Sequence, residues 1–472
     1  MTPLALGLAL ILALVFLVQL PPIVAFIRTL RRGMGVTCQA GLDARPIERH
    51  IEAAVEATAE RKQVARRQRG GSAVAVLERP TVESTSAEPA PRAVCVLCLR
   101  GRDPFLAECL RGLLLQEYPD YDVLIVVDSE TDPALGTVRA ILREIPADER
   151  KARDVWIETI DQIYPYCALK GSALIHAARV IRHQPYEVVA LLDADTVPHR
   201  TWLAELVAPF TNPKIGVTSG NRWYMPKDSG WGSLVRYVWN VGAVVQMFWN
   251  HFTWGGSVAL RKELFCDREL SARWRRSLST DTVIYQVAKH HGWDTCFVPT
   301  ILMVNRESCS LRRLFPWITR QILVGKLYHP GWPWVLGHGL GTTFFLAVAI
   351  LFAVWALVQS SWLPFFIVLA SLLGYWIGNI GIVYAMEKAV AQIVKLQGQD
   401  PRWLTPKVWV KLILAMPVTQ FFNAVAILAT FFVRKVSWRG IVYRLKGRRI
   451  EMEAYRPFAP AVAGVTSGTQ SL

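Results

Sequence analysis

Hydrophobic positions along this chain fall into two regimes. From about residue 93 to 330, short apolar runs alternate with stretches whose apolar residues recur every three or four positions. The series runs "AVCVLCL" (93–99), "PFLAECLRGLLLQEYP" (104–119), "YDVLIVV" (121–127), a helical pattern near 135–145, a weaker strand near 155–159, a helix over 171–182 and "EVVALL" (187–192). Buried strands alternating with amphipathic helices predict an α/β domain built on a mostly parallel sheet with helical crossovers. Elsewhere the apolar residues are continuous rather than periodic. Met1 to Ile27 carries no charge, and the stretches near 331–358, 362–386 and 412–433 are comparably apolar. Runs of this length match the hydrocarbon thickness of a bilayer. The pattern divides the chain into a transmembrane anchor (1–27), a basic helical and linker segment (28–92), the α/β domain (93–330), C-terminal membrane segments (331–433) and a basic tail (434–472). A cleaved signal peptide is the other reading of residues 1–27, but no basic residue precedes the apolar run.

Composition changes the picture in one respect, which is charge. The chain has 472 residues, 52% of them hydrophobic, and a formal net charge of +16. Arg28, Arg31 and Arg32 follow the first span at once, and the positive-inside rule then puts the α/β domain in the cytoplasm. Arg434 to Arg449 holds seven Lys and Arg and no acid. Anionic lipid headgroups account for this excess, so no nucleic-acid partner is expected. The same stretch raises a conflict, because three full C-terminal spans would leave it outside. Pro417 is expected to break the last apolar segment into a re-entrant pair and so return the tail. "CVLC", Cys95 to Cys98, has the spacing of a metal pair, yet in a strand its two cysteines point to opposite faces.

In parallel sheets ligands collect beyond the carboxyl ends of the strands. Asp193 and Asp195 stand there in "LLDADTVPHRTWL", where a hard divalent ion, Mg2+ or Mn2+, would bridge them to a diphosphate; a pair of solvated turn acids is the alternative. Asp128, ending the earlier strand in "VVDSETDP", is an acceptor suited to the imide N–H of uracil or to a ribose hydroxyl. Lys170 precedes a helix in "CALKGSALIHA", where ammonium and helix N-terminus would both face a nucleotide's charge; an ordinary surface lysine is the alternative. "WGSLVRYVWNVGAVVQMFWNHF" (231–252) reads as a helix at the membrane interface or in the core. His290 and His291, before Gly292, read as a helix C-terminus.

Five stretches in order resemble the membrane-bound family-2 glycosyltransferases, and most of all the ceramide glucosyltransferases: "LRGRDPFLAECLRGLLLQEYPDYDVLIVVDSETDPAL", "LLDADTVPHRTWL", "TWGGSVALRKELF", "STDTVIYQVAKHHGWDTCFVP" and "SWRGIVYRL". The resemblance implies a GT-A fold, a nucleotide-sugar donor, a divalent ion on the D-x-D and inversion at the anomeric carbon. Asp281 stands where the family keeps its base, although the usual Glu-Asp pair is reduced to Thr280-Asp281; a helix N-cap is its other reading. Arg320 in "WITRQ" matches the arginine of the family's Q-x-x-R-W motif, with Gln321 in place of the tryptophan and Trp317 in place of the first polar residue. The expected reaction is transfer of one hexose, glucose from UDP-glucose, to the hydroxyl of a membrane lipid, ceramide or diacylglycerol, at the cytoplasmic leaflet. A processive polysaccharide synthase and a catalytically silent membrane scaffold are the rival readings. Oligomeric state is left open.

Overall fold

The computed structural model describes residues 1–40 and 90–458; the expected helix and linker before residue 90 and the tail beyond 458 lie outside them. In chain order the elements are α1 (Thr2–Ala40), β1 (Ala93–Leu99), α2 (Leu106–Leu114), β2 (Tyr121–Val127), α3 (Ala134–Glu144), β3 (Val155–Thr159), α4 (Leu169–Ile181), β4 (Val188–Leu192), α5 (Trp202–Val207) and β5 (Ile215–Tyr224). There follow α6 (Trp231–Trp249), β6 (Ser257–Arg261), two short helices α7 (Lys262–Phe265) and α8 (Arg268–Trp274), α9 (Ile284–His290) and β7 (Asp294–Asn305). The chain ends with α10 (Leu311–Tyr328), α11 (Trp332–Val358), α12 (Trp362–Leu396), α13 (Pro406–Ala429) and β8 (Lys435–Trp438), β9 (Ile441–Lys446) and β10 (Arg449–Met452).

Seven strands form one sheet in the order β3-β2-β1-β4-β6-β5-β7. The first four are parallel, β6 runs against β4 and β5, and β7 is parallel to β5. This is the α/β architecture of GT-A type that the resemblance implies. Alternation along β1 sorts its side chains: Cys95, Leu97 and Leu99 pack on one face with α2, α3 and α5, whereas Val94, Val96 and Cys98 face α4. The two cysteines of "CVLC" therefore belong to separate cores. Leu97 lies opposite Leu192 and Leu99 opposite Val127, so β1, β2 and β4 end close together and their following loops share one edge.

Four helices are long and apolar enough to cross a membrane: α1 over Thr2–Gly33, α11, α12 and α13. Their bounds depart from the expected ones. α12 runs ten residues past the expected end at 386, because its second half leaves the apolar bundle and packs through Met386, Val390 and Ile393 into the core around Trp223 and Leu302. α13 begins at Pro406 and passes through Pro417 without a break, so the expected re-entrant pair is not formed. The segment 231–252 is α6, buried through Leu234, Tyr237, Val241 and Val245 between the sheet and the long helices. The basic stretch after α13 is not a loose tail: β8, β9 and β10 form an antiparallel sheet docked on the α/β domain.

Candidate active site

β4 stops at Leu192, and Asp193 and Asp195 project from the turn that follows. Lys170, in the first turn of α4, donates to Asp193 Oδ1 at 2.5 Å and to the Gly255 carbonyl at 3.2 Å, so it faces the interior rather than solvent. Arg222, near the end of β5, donates to Asp195 Oδ1 at 2.7 Å with its guanidinium 5.1 Å from the centre of the Trp254 ring. Burial works against ionisation of Asp195, but Arg222 and Arg439 outweigh it and hold the carboxyl below its ordinary range. The second oxygen of each acid accepts no hydrogen bond from the described residues, and both acids line a cavity of about 560 Å3. Two carboxylate oxygens on one cavity wall form a hard, all-oxygen donor set, which fits a divalent cation.

Asp128, ending β2, is almost fully buried and paired with Arg100. The Tyr455 hydroxyl, from beyond β10, donates to its carbonyl at 3.1 Å, while Asp128 Oδ1 is buried on the cavity wall without a partner among the described residues. Burial, reinforced by the Asp132 carboxyl and opposed by Arg100, raises Asp128 to about 7. Beside it the chain turns at Gly101 with φ +72, and the Phe458 ring lies so close that an added Cβ would approach it to 2.5 Å.

Asp281 precedes α9, whose N-cap is Val283, so it does not cap that helix. Its Oδ2 accepts the Gly255 N–H at 2.9 Å; its Oδ1 accepts the Thr282 N–H at 2.8 Å and the Ser279 hydroxyl. The Thr253 hydroxyl holds its carbonyl at 2.7 Å. The seating is close: a Cβ added at Gly255 would lie 3.2 Å from Asp281 Oδ2, so the carboxylate would have to give by a few tenths of an ångström. Asp281 lines the same cavity, as does Arg320 from α10. Arg320 forms no ion pair among the described residues; burial and the neighbouring Arg439 lower it to about 10, and its guanidinium sits 4.9 Å from the Trp438 ring. Trp317 packs edge-on against Trp239 and Tyr224. His290 pairs with Glu269 at 2.7 Å on the surface, and these two with His291 are the described cluster near enough to hold a metal ion, away from the cavity.

All six residues singled out from the sequence, Asp128, Lys170, Asp193, Asp195, Asp281 and Arg320, thus line one cavity. Sequence reasoning passed over Arg222 and Arg439. Arg439 occupies the β8–β9 turn with φ +47, followed by Gly440 at +78, and donates to Asp103 Oδ2 at 2.7 Å and to the Arg100 carbonyl at 3.2 Å. Arg439 stands in "SWRGIVYRL", one of the five stretches that carry the family resemblance, without being singled out there. Trp438 puts an indole beside Arg320, although the motif on α10 lacks one at 321. The other end of the cavity is walled by the long helices, through Gln19 and Ile23 of α1, His338 of α11, Trp376 of α12, and Met416 and Gln420 of α13.

A ceramide glucosyltransferase of Komagataella phaffii is 38% identical over 48 residues, which is 10% of this chain and 9% of that relative's length. Among solved structures, a mannosyltransferase from Pyrobaculum calidifontis in complex with GDP-Man and Mn2+ superposes with a TM-score of 0.37 at 16% identity, covering 85% of this chain and 99% of that one. A glucosyl-3-phosphoglycerate synthase from Mycobacterium tuberculosis in complex with Mn2+ and UDP-Glc superposes at 0.32 and 14%, covering 50% and 77%. The family described as glycosyl transferase family 21 matches residues 68–450. That span takes in the entire seven-stranded sheet, every cavity-lining acid and the three C-terminal apolar helices, and the chain belongs to this family of glycosyltransferases.

Proposed function

We propose that the protein transfers a single hexose, glucose from UDP-glucose, to the hydroxyl of a membrane lipid, with ceramide the first candidate acceptor and diacylglycerol the second. One observation carries the reading: the cavity holding Asp193, Asp195 and Asp281 continues between α1, α11, α12 and α13. A water-soluble acceptor needs no such extension. A lipid does, because its chains must stay among apolar helices while its hydroxyl reaches the donor. Arg28, Arg31 and Arg32, on α1 just past its apolar run, favour a cytoplasmic sheet domain and hence a cytoplasmic donor.

In this reading the unpartnered Asp128 Oδ1 accepts an N–H of the base, and Lys170 with the α4 N-terminus faces the phosphates. Asp193 and Asp195 would hold Mg2+ or Mn2+, which when bound offsets charge on the diphosphate. Arg320 and Arg439 add positive charge on the same side. Asp281, its carboxylate oriented by Gly255, Thr282 and Ser279, takes the proton of the acceptor hydroxyl as that oxygen attacks the anomeric carbon. The bond from that carbon to the diphosphate oxygen breaks, the nucleoside diphosphate leaves with the electron pair, and the configuration inverts.

The test incubates purified full-length protein with radiolabelled UDP-glucose and Mn2+ in micelles containing ceramide, diacylglycerol or neither. Label is expected in the organic phase only when a hydroxyl lipid is present. Label confined to water-soluble products in all three mixtures would refute a lipid acceptor.

A further inference from the structure

Length and hydropathy make α1, α11, α12 and α13 equal candidates for crossing a bilayer. Their packing separates the last from the others. α11 leaves the sheet domain just after His329, and α12 brings the chain back, where Gln397 Nε2 donates to the Thr300 carbonyl at 2.7 Å. The far parts of α11 and α12 meet the first half of α1 in a cluster that includes Ala5, Leu12, Leu346 and Leu372 and contains no residue of the sheet domain.

α13 touches that domain along its whole course. Near its start Lys411 reaches the Ser229 carbonyl at the head of α6, at 3.5 Å. At its middle Asn423 accepts the Trp239 indole N–H at 3.0 Å, and Phe422 packs edge-on against Phe315 of α10. Just past its end the Thr430 carbonyl accepts from Lys326 of α10 at 2.9 Å. α13 therefore runs beside α6 and α10 instead of away from them. Parity gives the same answer. The chain leaves the domain at His329 and has returned to it by β9, where the Tyr443 hydroxyl oxygen accepts the Leu169 N–H at 3.0 Å. An even number of crossings must lie between, and α11 with α12 supplies two.

What α13 does not press on the protein is an apolar stripe. Val410, Leu414, Val418, Phe421, Val425 and Leu428 are all exposed, and their spacings of four, four, three, four and three keep them within about a quarter of the helix circumference. Leu412, Met416 and Thr419 are buried on the other side. On a side away from the stripe α13 also meets the bundle: Gln420 donates to the Thr343 hydroxyl of α11 at 2.7 Å, so α13 lies where the bundle joins the domain. A helix with that placement and that stripe has the form of one lying in a bilayer interface.

We infer that the chain crosses the membrane three times, through α1, α11 and α12, and that α13 lies in the plane of one leaflet with its stripe against the acyl chains. β8 to β10 are then on the same side of the membrane as the sheet. The partner of the stripe is a lipid leaflet.

The test uses the full-length protein in sealed vesicles with one added cysteine at a time, Ser360→Cys in the α11–α12 turn, Asp400→Cys before α13 or Ser437→Cys in β8, against a parent whose native cysteines set the background. A membrane-impermeant maleimide should label positions 400 and 437 from one face and position 360 from the other. Labelling of 400 and 437 from opposite faces overturns the inference. A second arm attaches a fluorophore to Leu414→Cys in vesicles with or without lipids brominated near the carbonyl. Fluorescence should fall with the brominated lipid. No fall, together with crosslinking between copies at that position, would assign the stripe to a second copy and overturn the lipid placement. Neither readout depends on sugar transfer, so each stands or falls apart from the proposed reaction.

Discussion

Asp281 carries the sharpest consequence at the scale of single residues. Its carboxylate accepts backbone N–H groups at both oxygens and a hydroxyl at one, so an amide keeps the size but neither the basicity nor acceptance at both positions. Asp281→Asn is therefore expected to lower kcat by about 10²-fold or more, the usual scale of general-base catalysis, with donor KM nearly unchanged. Loss of donor affinity with kcat kept at saturation would make Asp281 a donor ligand. Asp128 predicts a pH dependence. Burial raises it to about 7, so below that pH it is protonated and loses acceptor capacity. Donor KM should then rise as pH falls from 8 to 6, and Asp128→Asn, which has no proton to gain, should flatten that part of the profile. A wild-type KM that is constant across the interval would remove Asp128 from base recognition.

At the scale of elements, the three-stranded sheet after α13 acts on the site through β9. The Tyr443 hydroxyl oxygen accepts the N–H of Leu169, the first residue of α4, next to Lys170. Tyr443→Phe leaves that buried N–H without its partner, at a cost of about 1–3 kcal/mol. Lower thermal stability in detergent and a raised donor KM should appear together; a stability loss alone would mean that α4 keeps its place without the bond. The same elements show what the sequence makes legible. Acids at the ends of buried strands stand out because an apolar run has few other reasons to stop at a carboxylate, and Asp128, Asp193 and Asp195 are legible for that reason. Arginines do not, since the meaning of a cation lies in the acid it faces. Arg222 meets Asp195 from 27 positions away, and Arg439 meets Asp103 from 336. Hydropathy alone does not set α13 apart from the other long helices, because it measures length and apolarity and not the contacts that both ends of this helix make with the domain.

At the scale of the whole molecule, the membrane bundle bears on product length. Ala5, Leu12, Leu346, Ala349, Val368 and Leu372 pack against one another in its far part, where a growing polysaccharide would need an open passage. Mass spectrometry of the product should show lipid plus one hexose even with excess donor and long incubation. Trp438 beside Arg320 makes this a stringent test, because an indole face there could grip a sugar even though Gln321 cannot. A ladder of longer products would promote the processive reading. Closure of the cavity by Trp438, Arg439 and Tyr443 has a further consequence, in time rather than in space. A ribosome finishes Asp128, Asp193, Asp195 and Asp281 long before it reaches these three residues. A nascent chain, or one cut short by a premature stop codon after α13, already carries the acids but lacks a wall of the donor site. Transfer is thus expected only of copies whose synthesis has run past β9.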